Sequence, residues 1–347
     1  MSNVKKAAIL GASGYTGAET IRLLLGHPNV KIVALTGHSN AGREISEIYP
    51  NLLGRNLPSI ISWDEVDWSE IDVAFACLPH GASQETIAAI RSQVPTIIDL
   101  SADFRLADPA LYEKTYGRPH NYPALLKSAV YGLTEFARDN LTGAALVACP
   151  GCYPTCSLLS LLPGIKAGLF KPSSIIIDAK SGITGAGRKI SDRLIYSELT
   201  DGAHAYGVGN HRHAPEIDQM LTRVTGNDDI RVSFTPHLIP MNRGMITTIY
   251  VDLAKGFDLE FVQKTYKKAY ENEPFIIVSE SVPETRHFKA SNRFGLGLFK
   301  DRVEHRIILI GVIDNLTKGS AGQAVQNYNL TQGWDETLGL MGSAAFP

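Results

Sequence analysis

The chain has little cysteine and no hydrophobic run long enough to cross a bilayer. Four cysteines in 347 residues cannot staple a chain of this size. A disulfide framework is therefore excluded, and a reducing compartment is implied. Lys5 and Lys6 precede an apolar run that stops at Gly11. That run is too short for the core of a secretory signal, and no other segment reaches the roughly 20 apolar residues of a membrane span. An excess of one charge is also missing. With 33 Lys and Arg against 35 Asp and Glu, the formal net charge is -2, which leaves no basic field for nucleic acid or anionic lipid. Internal repeats and low-complexity segments are absent from the sequence. These absences lead to the expectation of a soluble cytoplasmic protein. Its 44% hydrophobic content can fill a large core, and its length suggests two domains.

The most informative segment is VACPGCYPT, residues 147–155. An apolar run over 144–148 enters a Pro-Gly turn, Cys152 follows, and a helix-like run covers 156–162. Cys152 thus stands where a strand ends and a helix begins. The unpaired N–H groups and positive dipole end of a helix stabilise a thiolate there, as a covalent nucleophile requires. A buried, inert cysteine is the alternative reading.

The first half reads as βα units. A short apolar strand, 7–10, runs into Gly11-Ala12-Ser13-Gly14-Tyr15-Thr16-Gly17, and a helical pattern follows through Leu25. Strand, glycine-rich turn and helix form the context of a dinucleotide fingerprint, although the spacing is GxxGxxG rather than GxGxxG. Gly11, Ser13, Gly14, Tyr15, Thr16 and Gly17 are therefore expected to hold a cofactor pyrophosphate at the helix N-terminus. The second strand, 31–35, leads into TGHSNAGR, with no carboxylate before Glu44. An acid at the end of this strand would bind the ribose of NAD. Ser39 and Arg43 suit a 2′-phosphate instead and point to NADP. Further strands, 73–76 and 96–98, end in the turns CLPHG and DLSADFR. In an open α/β sheet such turns line the ligand cleft. Pro79 is expected on the cofactor side, and Ser101 and Arg105 on the substrate side.

After Cys152 the strands alternate more, as in an antiparallel sheet covered by helices. Strands are expected at 175–177, 232–234, 245–251 and 306–313, and helices at 215–224 and 259–270. A last helix, 321–330, is assigned to the first domain. Three loops look chemical. KSGITGAGR, residues 180–188, carries hydroxyls and an arginine for an anion. Within it Ser181 and Gly182 are expected at the cofactor, and Ser181, Thr184 and Arg188 at a phosphate. GNHRHAPE, residues 209–216, sets His211, Arg212, His213 and Glu216 before a helix. One histidine is the expected base, with a lean to His213, and Arg212 and Glu216 are expected to orient substrate. DNLTKG, residues 314–319, ends a core strand with polar side chains, and Asn315 is expected at the cofactor. Cys149 and Cys152 could join His211 and His213 on zinc, or act as a CxxC redox pair. Either use would consume the best nucleophile, so no metal is expected.

ACPGCYPT, GASGYTG, DLSADFRL, YGLTE, SGITGAGR, GNHRHAPEI and DNLTKGSAGQAVQN resemble the N-acetyl-γ-glutamyl-phosphate reductases, from one end of the chain to the other. Cys156 departs from the Gly or Ala usual in that family. The resemblance implies a Rossmann-like NADP-binding domain over 1–150 and 316–347. It also implies an α+β catalytic and oligomerisation domain over 151–315 with a largely antiparallel sheet. That is the plan of aspartate-semialdehyde and glyceraldehyde-3-phosphate dehydrogenases. The implied reaction is NADPH-dependent reduction of an acyl phosphate through a Cys152 thioester, in a homodimer or homotetramer. A related semialdehyde dehydrogenase is the rival enzyme, and a non-catalytic NADP sensor is the rival from another class.

Overall fold

The computed structural model describes residues 4–188 and 190–345. The chain divides into two compact units. One runs to Pro150 and takes Ser320–Gly342; the other comprises Gly151–Gly319 and takes the residues from Ser343 onward.

The first unit is built on seven strands among the described residues, in the order β3-β2-β1-β4-β5-β7-β6. They are β1 Lys5–Leu10, β2 Val30–Thr36, β3 Ile60–Ile61, β4 Val73–Ala76, β5 Thr96–Asp99, β6 Val130–Tyr131 and β7 Leu146–Ala148. Every pairing is parallel. The central strands β4 and β5 are buried along their length, which is why they read as short continuous apolar runs rather than as alternation. Helices α1 Tyr15–Leu24, α2 Ile45–Ile48, α3 Ser83–Ile90, α4 Pro109–Tyr116, α5 Pro123–Ser128 and α6 Thr134–Leu141 connect the strands. The strand order reverses between β1 and β4. In sheets of this kind the crevice beyond that reversal takes the ligand.

The second unit carries α7 Cys152–Lys166, α8 Tyr196–Leu199, α9 Ala214–Thr225 and α10 Leu259–Ala269. Its strands are β8 Ile176–Gly182, β9 His204–Ala205, β10 Ser233–Ile239, β11 Met245–Asp252, β12 Ile276–Ser279, β13 Phe294–Lys300 and β14 Arg306–Ile313. They form one sheet in the order β12-β13-β14-β11-β8-β10-β9. The β12–β13 and β8–β10 pairs are parallel and the other pairs antiparallel. Residues of β11 alternate between buried and half-buried, so one face turns to the core under α7.

Three boundaries differ from the sequence reading. Strand β10 runs past Pro236, which sequence rules treat as a strand breaker. The Pro236 carbonyl accepts Tyr206 N–H at 3.1 Å on the edge side. The missing N–H of Pro236 faces the short edge strand β9 rather than β8, so the β8–β10 ladder keeps its bonds. Leu316–Gly319 belongs with the second unit rather than the first, because Asp314 holds that turn through the N–H groups of Leu316 and Thr317, both at 2.9 Å. The residues from Ser343 likewise belong to the second unit, and Ala345 N–H donates to the Lys289 carbonyl at 2.9 Å. The return to the first unit is made by α11 Gly322–Thr331, which is almost wholly buried. Its Asn327 donates to the Gly132 carbonyl at 2.7 Å and accepts from the Thr134 hydroxyl at 2.7 Å.

Helix α7 also outruns its expected end at 162. Pro163 lies inside it and removes one rung of the helical ladder. Two tyrosine hydroxyls mend the gap. Tyr270 donates to the Leu159 carbonyl, four residues before the proline, at 2.5 Å. Tyr266 donates to the Ser160 carbonyl at 2.6 Å and accepts Gly164 N–H at 3.3 Å. Among the described residues, no helix is long and apolar enough to cross a membrane.

This repair makes a prediction. Tyr270→Phe leaves a buried carbonyl unpaired and is expected to cost ~1–3 kcal/mol. The same change in a Pro163→Ala background should cost less, because the alanine restores the N–H that the Leu159 carbonyl lacks. Equal losses in a chemical-denaturation double-mutant cycle would refute the coupling.

Candidate active site

The chain passes from β7 through Cys149 and Pro150 to Gly151, the N-cap of α7, and Cys152 is the first helical residue. No acid stands in the first turn, so the dipole end is not neutralised from within the helix. Two glycines allow close approach to Cys152. A Cβ on Gly151 would lie 2.4 Å from Nε2 of His213, so only glycine lets that imidazole rest against the cap. A Cβ on Gly319 would lie 2.8 Å from the Cβ of Cys152. Glu216, fully buried, accepts Gly151 N–H on Oε1 at 2.9 Å. It therefore stands one residue from Cys152.

The other three cysteines contrast with this placement. Burial pushes the Cys77, Cys149 and Cys156 thiols up to about 12. Cys149 packs in the first unit, with Asn327 Nδ2 3.7 Å from its sulfur. Cys156, the departure from the family pattern, contacts the Thr247 hydroxyl at 3.3 Å. All four cysteines are free thiols. Among the described residues no group of three or more His, Cys, Asp or Glu is arranged to hold a metal ion.

The two histidines are not equivalent. His213 caps α9, and its backbone N–H donates to Nδ1 of His211 at 3.2 Å. His211 packs edge-on to Tyr206, 5.3 Å between ring centres, and against Phe234, also at 5.3 Å. Burial, helped by the charge of Arg212, holds the His211 imidazole down to about 4. Sequence reasoning missed the aromatic wall around this pair. Tyr153 lies 5.8 Å from each imidazole, centre to centre. Its hydroxyl accepts from Tyr206 at 3.2 Å and donates to the His237 carbonyl at 3.2 Å. Tyr153 follows Cys152 directly and could have been suspected. Tyr206 carries no sequence signal.

Other expected residues fall nearby in the second unit. Ser181 is buried, and its hydroxyl donates to the Gly182 carbonyl at 3.0 Å. Gly182 passes so close to 241–242 that a Cβ would lie 2.8 Å from the Met241 carbonyl oxygen. Thr184 donates to the Asn242 carbonyl at 2.7 Å and accepts from Asn315 Nδ2 at 3.0 Å. Arg188 and Arg212 are exposed.

In the first unit the glycine loop leaves β1 with Gly11 at φ 73°. A Cβ there would lie 2.4 Å from the Cys77 carbonyl oxygen, and one on Gly17 would lie 2.5 Å from the Gly11 carbonyl oxygen. These contacts seat α1 hard against the ends of β1 and β4. Ser13 accepts the Tyr49 hydroxyl on its carbonyl at 3.0 Å, and Tyr15 and Thr16 open α1 under the Gly14 cap. No side chain caps this first turn and no acid stands in it, which fits an anionic cofactor group. Ser39 and Arg43 are exposed on the loop after β2. Arg43 donates to Glu47 at 3.0 Å and Asn40 at 3.3 Å.

Pro79 is exposed on the loop after β4. Buried Asp103 braces that loop by accepting Gly81 N–H at 2.8 Å and Ser83 N–H at 3.1 Å, a role that sequence reasoning missed. Ser101 is buried, and its hydroxyl donates to Asp99 at 2.9 Å. Arg105, also buried, donates to the Cys149 carbonyl at 2.7 Å and the Leu100 carbonyl at 3.0 Å.

The depressed His211 sets a pH dependence. Between about 4 and 6.5 the unfolded chain binds the proton that the folded chain refuses. The contribution is thus complete above the unfolded value and is lost as pH falls toward 4. Asp99 and Asp218, both raised by burial to about 6, act with the opposite sign, so the whole-protein curve is a sum. The difference in unfolding free energy between wild type and His211→Gln should isolate the histidine, rising by up to roughly 3 kcal/mol from pH 4 to 6.5 and then flattening. A flat difference across that range would show that His211 titrates normally.

Known proteins resemble the chain along its length. The family model described as "Semialdehyde dehydrogenase, NAD binding domain" matches residues 6–144, and "Semialdehyde dehydrogenase, dimerisation domain" matches residues 152–315. An N-acetyl-gamma-glutamyl-phosphate reductase of Rhodospirillum rubrum is 48% identical, covering 100% of both chains. One from Afipia carboxidovorans is 47% identical, covering 98% of each. A probable chloroplastic reductase of Arabidopsis thaliana is 47% identical over 99% of this chain and 85% of its own. In fold the chain is similar to aspartate semialdehyde dehydrogenase II of Vibrio cholerae, with TM-score 0.73 and 16% identity over 95% of this chain and 98% of that one. It is also similar to the Candida albicans enzyme solved with NADP, with TM-score 0.68 and 16% identity over 94% and 98%. The chain is an oxidoreductase with a nicotinamide-cofactor domain, and it belongs to the N-acetyl-γ-glutamyl-phosphate reductase family.

Proposed function

We propose that the chain reduces N-acetyl-γ-glutamyl phosphate to N-acetylglutamate 5-semialdehyde and phosphate, the third step of arginine biosynthesis, with NADPH as the reductant. The observation that carries this reading is the placement of Cys152. It opens a buried helix, with His213 against its cap residue, in a chain that belongs to this family over its length. The Cys152 thiolate attacks the acyl phosphate, the C–O bond to phosphate breaks, and a thioester remains on the sulfur. A bound nicotinamide cofactor supplies the hydride that takes this carbonyl to the aldehyde level. His213 holds the thiol proton during attack and governs the proton of the thiohemiacetal as the C–S bond breaks. Ser181, Thr184 and Arg188 are assigned to the departing phosphate, and Ser101, Arg105 and Arg212 to the rest of the substrate. The bond from Glu216 to Gly151 N–H supports a part for Glu216 in setting the cap as well as in orienting substrate.

NADPH is favoured over NADH by Arg43 and Ser39 on the loop after β2, where the strand itself ends without an acid. Cofactor contacts are assigned to Gly11, Ser13, Gly14, Tyr15, Thr16, Gly17, Pro79, Ser181, Gly182 and Asn315. The match to a dimerisation domain supports a homodimer or homotetramer, and the composition supports a cytoplasmic location.

Activity is tested in reverse, with phosphate and NADP⁺. N-acetylglutamate semialdehyde should turn over and aspartate semialdehyde should not. Cys152→Ala and Cys152→Ser should abolish turnover, and acyl phosphate without NADPH should leave one adduct, on the Cys152 peptide. An adduct on Cys149 or Cys156 would refute the assignment. His213→Asn should lower kcat by roughly 10²–10⁴-fold and remove a limb of the pH–rate profile; a near-normal kcat would place the base elsewhere. Arg43→Ala should raise the Kd for NADPH by about tenfold to a hundredfold and leave that for NADH nearly unchanged. Equal loss for both cofactors would give Arg43 a structural part instead.

A further inference from the structure

The turn that leaves β14 is tied more firmly than a chain reversal requires. Asp314 is fully buried. Its Oδ1 accepts the N–H groups of Leu316 and Thr317 and Nη2 of Arg243, each at 2.9 Å. Its Oδ2 accepts Ala290 N–H at 2.7 Å and Arg243 Nε at 3.0 Å. The same Nη2 also donates to the Thr317 hydroxyl at 3.0 Å. Asn315 continues the lattice. Its Oδ1 accepts Gly244 N–H at 2.8 Å, and its Nδ2 reaches Thr184, which is bound in turn to the Asn242 carbonyl. Residues 242–244, Thr184 and 314–317 therefore behave as one body. The chain then winds into a π-helical turn, Thr317–Ala321, a geometry frequent at functional sites. Gly319 N–H returns to the Asp314 carbonyl at 3.0 Å.

Gly319 is where this body meets the nucleophile. A Cβ there would lie 2.8 Å from the Cβ and 3.3 Å from the Cα of Cys152. To cap the turn, a single acceptor on Asp314 would suffice. The two-pronged guanidinium adds directional constraint and fastens the turn to 242–244. We propose that Asp314 and Arg243 are positioning residues: their ion pair sets Gly319 against Cys152 and so fixes the side-chain orientation from which the thiol reacts. The inference rests on Cys152 being the nucleophile proposed above. Both residues act through Gly319.

The test uses the full chain carrying Gly319→Ala, Arg243→Met, Arg243→Lys or Asp314→Asn. Three quantities are read: the rate of iodoacetamide alkylation at the Cys152 peptide across pH, kcat and KM for phosphate-dependent semialdehyde oxidation, and the thermal midpoint. Gly319→Ala leaves the ion pair intact, yet it should change the alkylation rate and lower kcat by about tenfold or more, with KM within about threefold of wild type. Arg243→Met and Asp314→Asn should move both quantities in the same direction, and Arg243→Lys should recover part of the loss. If the ion-pair variants do not fold, Gly319→Ala decides alone. Unchanged alkylation and kcat in Gly319→Ala would overturn the proposal, as would losses in the ion-pair variants that track the unfolded fraction alone. Failure of the nucleophile reading is separable: Cys152→Ala would then keep activity, whereas the positioning inference is judged on the rate at which the Cys152 thiol is alkylated.

Discussion

Backbone must come close to Cys152 for this site to exist, and two glycines make that possible. Gly151 admits the imidazole of His213 and Gly319 admits the turn after β14. Each approach is closer than a methyl group allows, so either position would force a shift if it gained a side chain, and packed surroundings yield little. The first unit uses the same device where Gly11 meets the Cys77 carbonyl and Gly17 meets Gly11. There the gain is a helix N-terminus seated at the sheet's reversal; here it is Cys152 with His213 against its cap residue and the turn after β14 against its Cβ.

The parts legible in the sequence were those whose chemistry is local. The strand-to-helix junction at Cys152, the glycine loop and the paired histidines each announce themselves within ten residues. What was illegible depends on partners far along the chain. The helix-like run read over 156–162 stopped short of Pro163, and Tyr266 and Tyr270 on the neighbouring α10 segment carry the helix through it. Ser181 and Thr184 read as two hydroxyls ready for an anion. In the fold Ser181 donates to the adjacent Gly182 carbonyl, and Thr184 to the distant Asn242 carbonyl. The two histidines carry the same side chain, yet burial, helped by the charge of Arg212, holds His211 down to about 4. That difference belongs to burial, which spacing does not encode.

The carboxylates carry this reasoning one step further. Both units fix the turn after a central strand with a buried aspartate that accepts backbone N–H groups just downstream. Asp99, at the end of β5, holds Ser101 N–H at 3.0 Å, and Asp314, just past β14, holds those of Leu316 and Thr317. The sequences DLS and DNLT look equivalent, but the electrostatics are not. Asp314 is neutralised by the fork of Arg243. Asp99 is fully buried, and the neighbouring Asp103 adds to the burial that raises its carboxyl to about 6. The guanidinium pairs with Asp314 in two directions, whereas a carboxyl buried beside a second acid holds its proton more readily as pH falls. The turn beside Cys152 is therefore built on the aspartate held by a two-pronged guanidinium, and the turn after β5 on the one that burial and a second acid hold up.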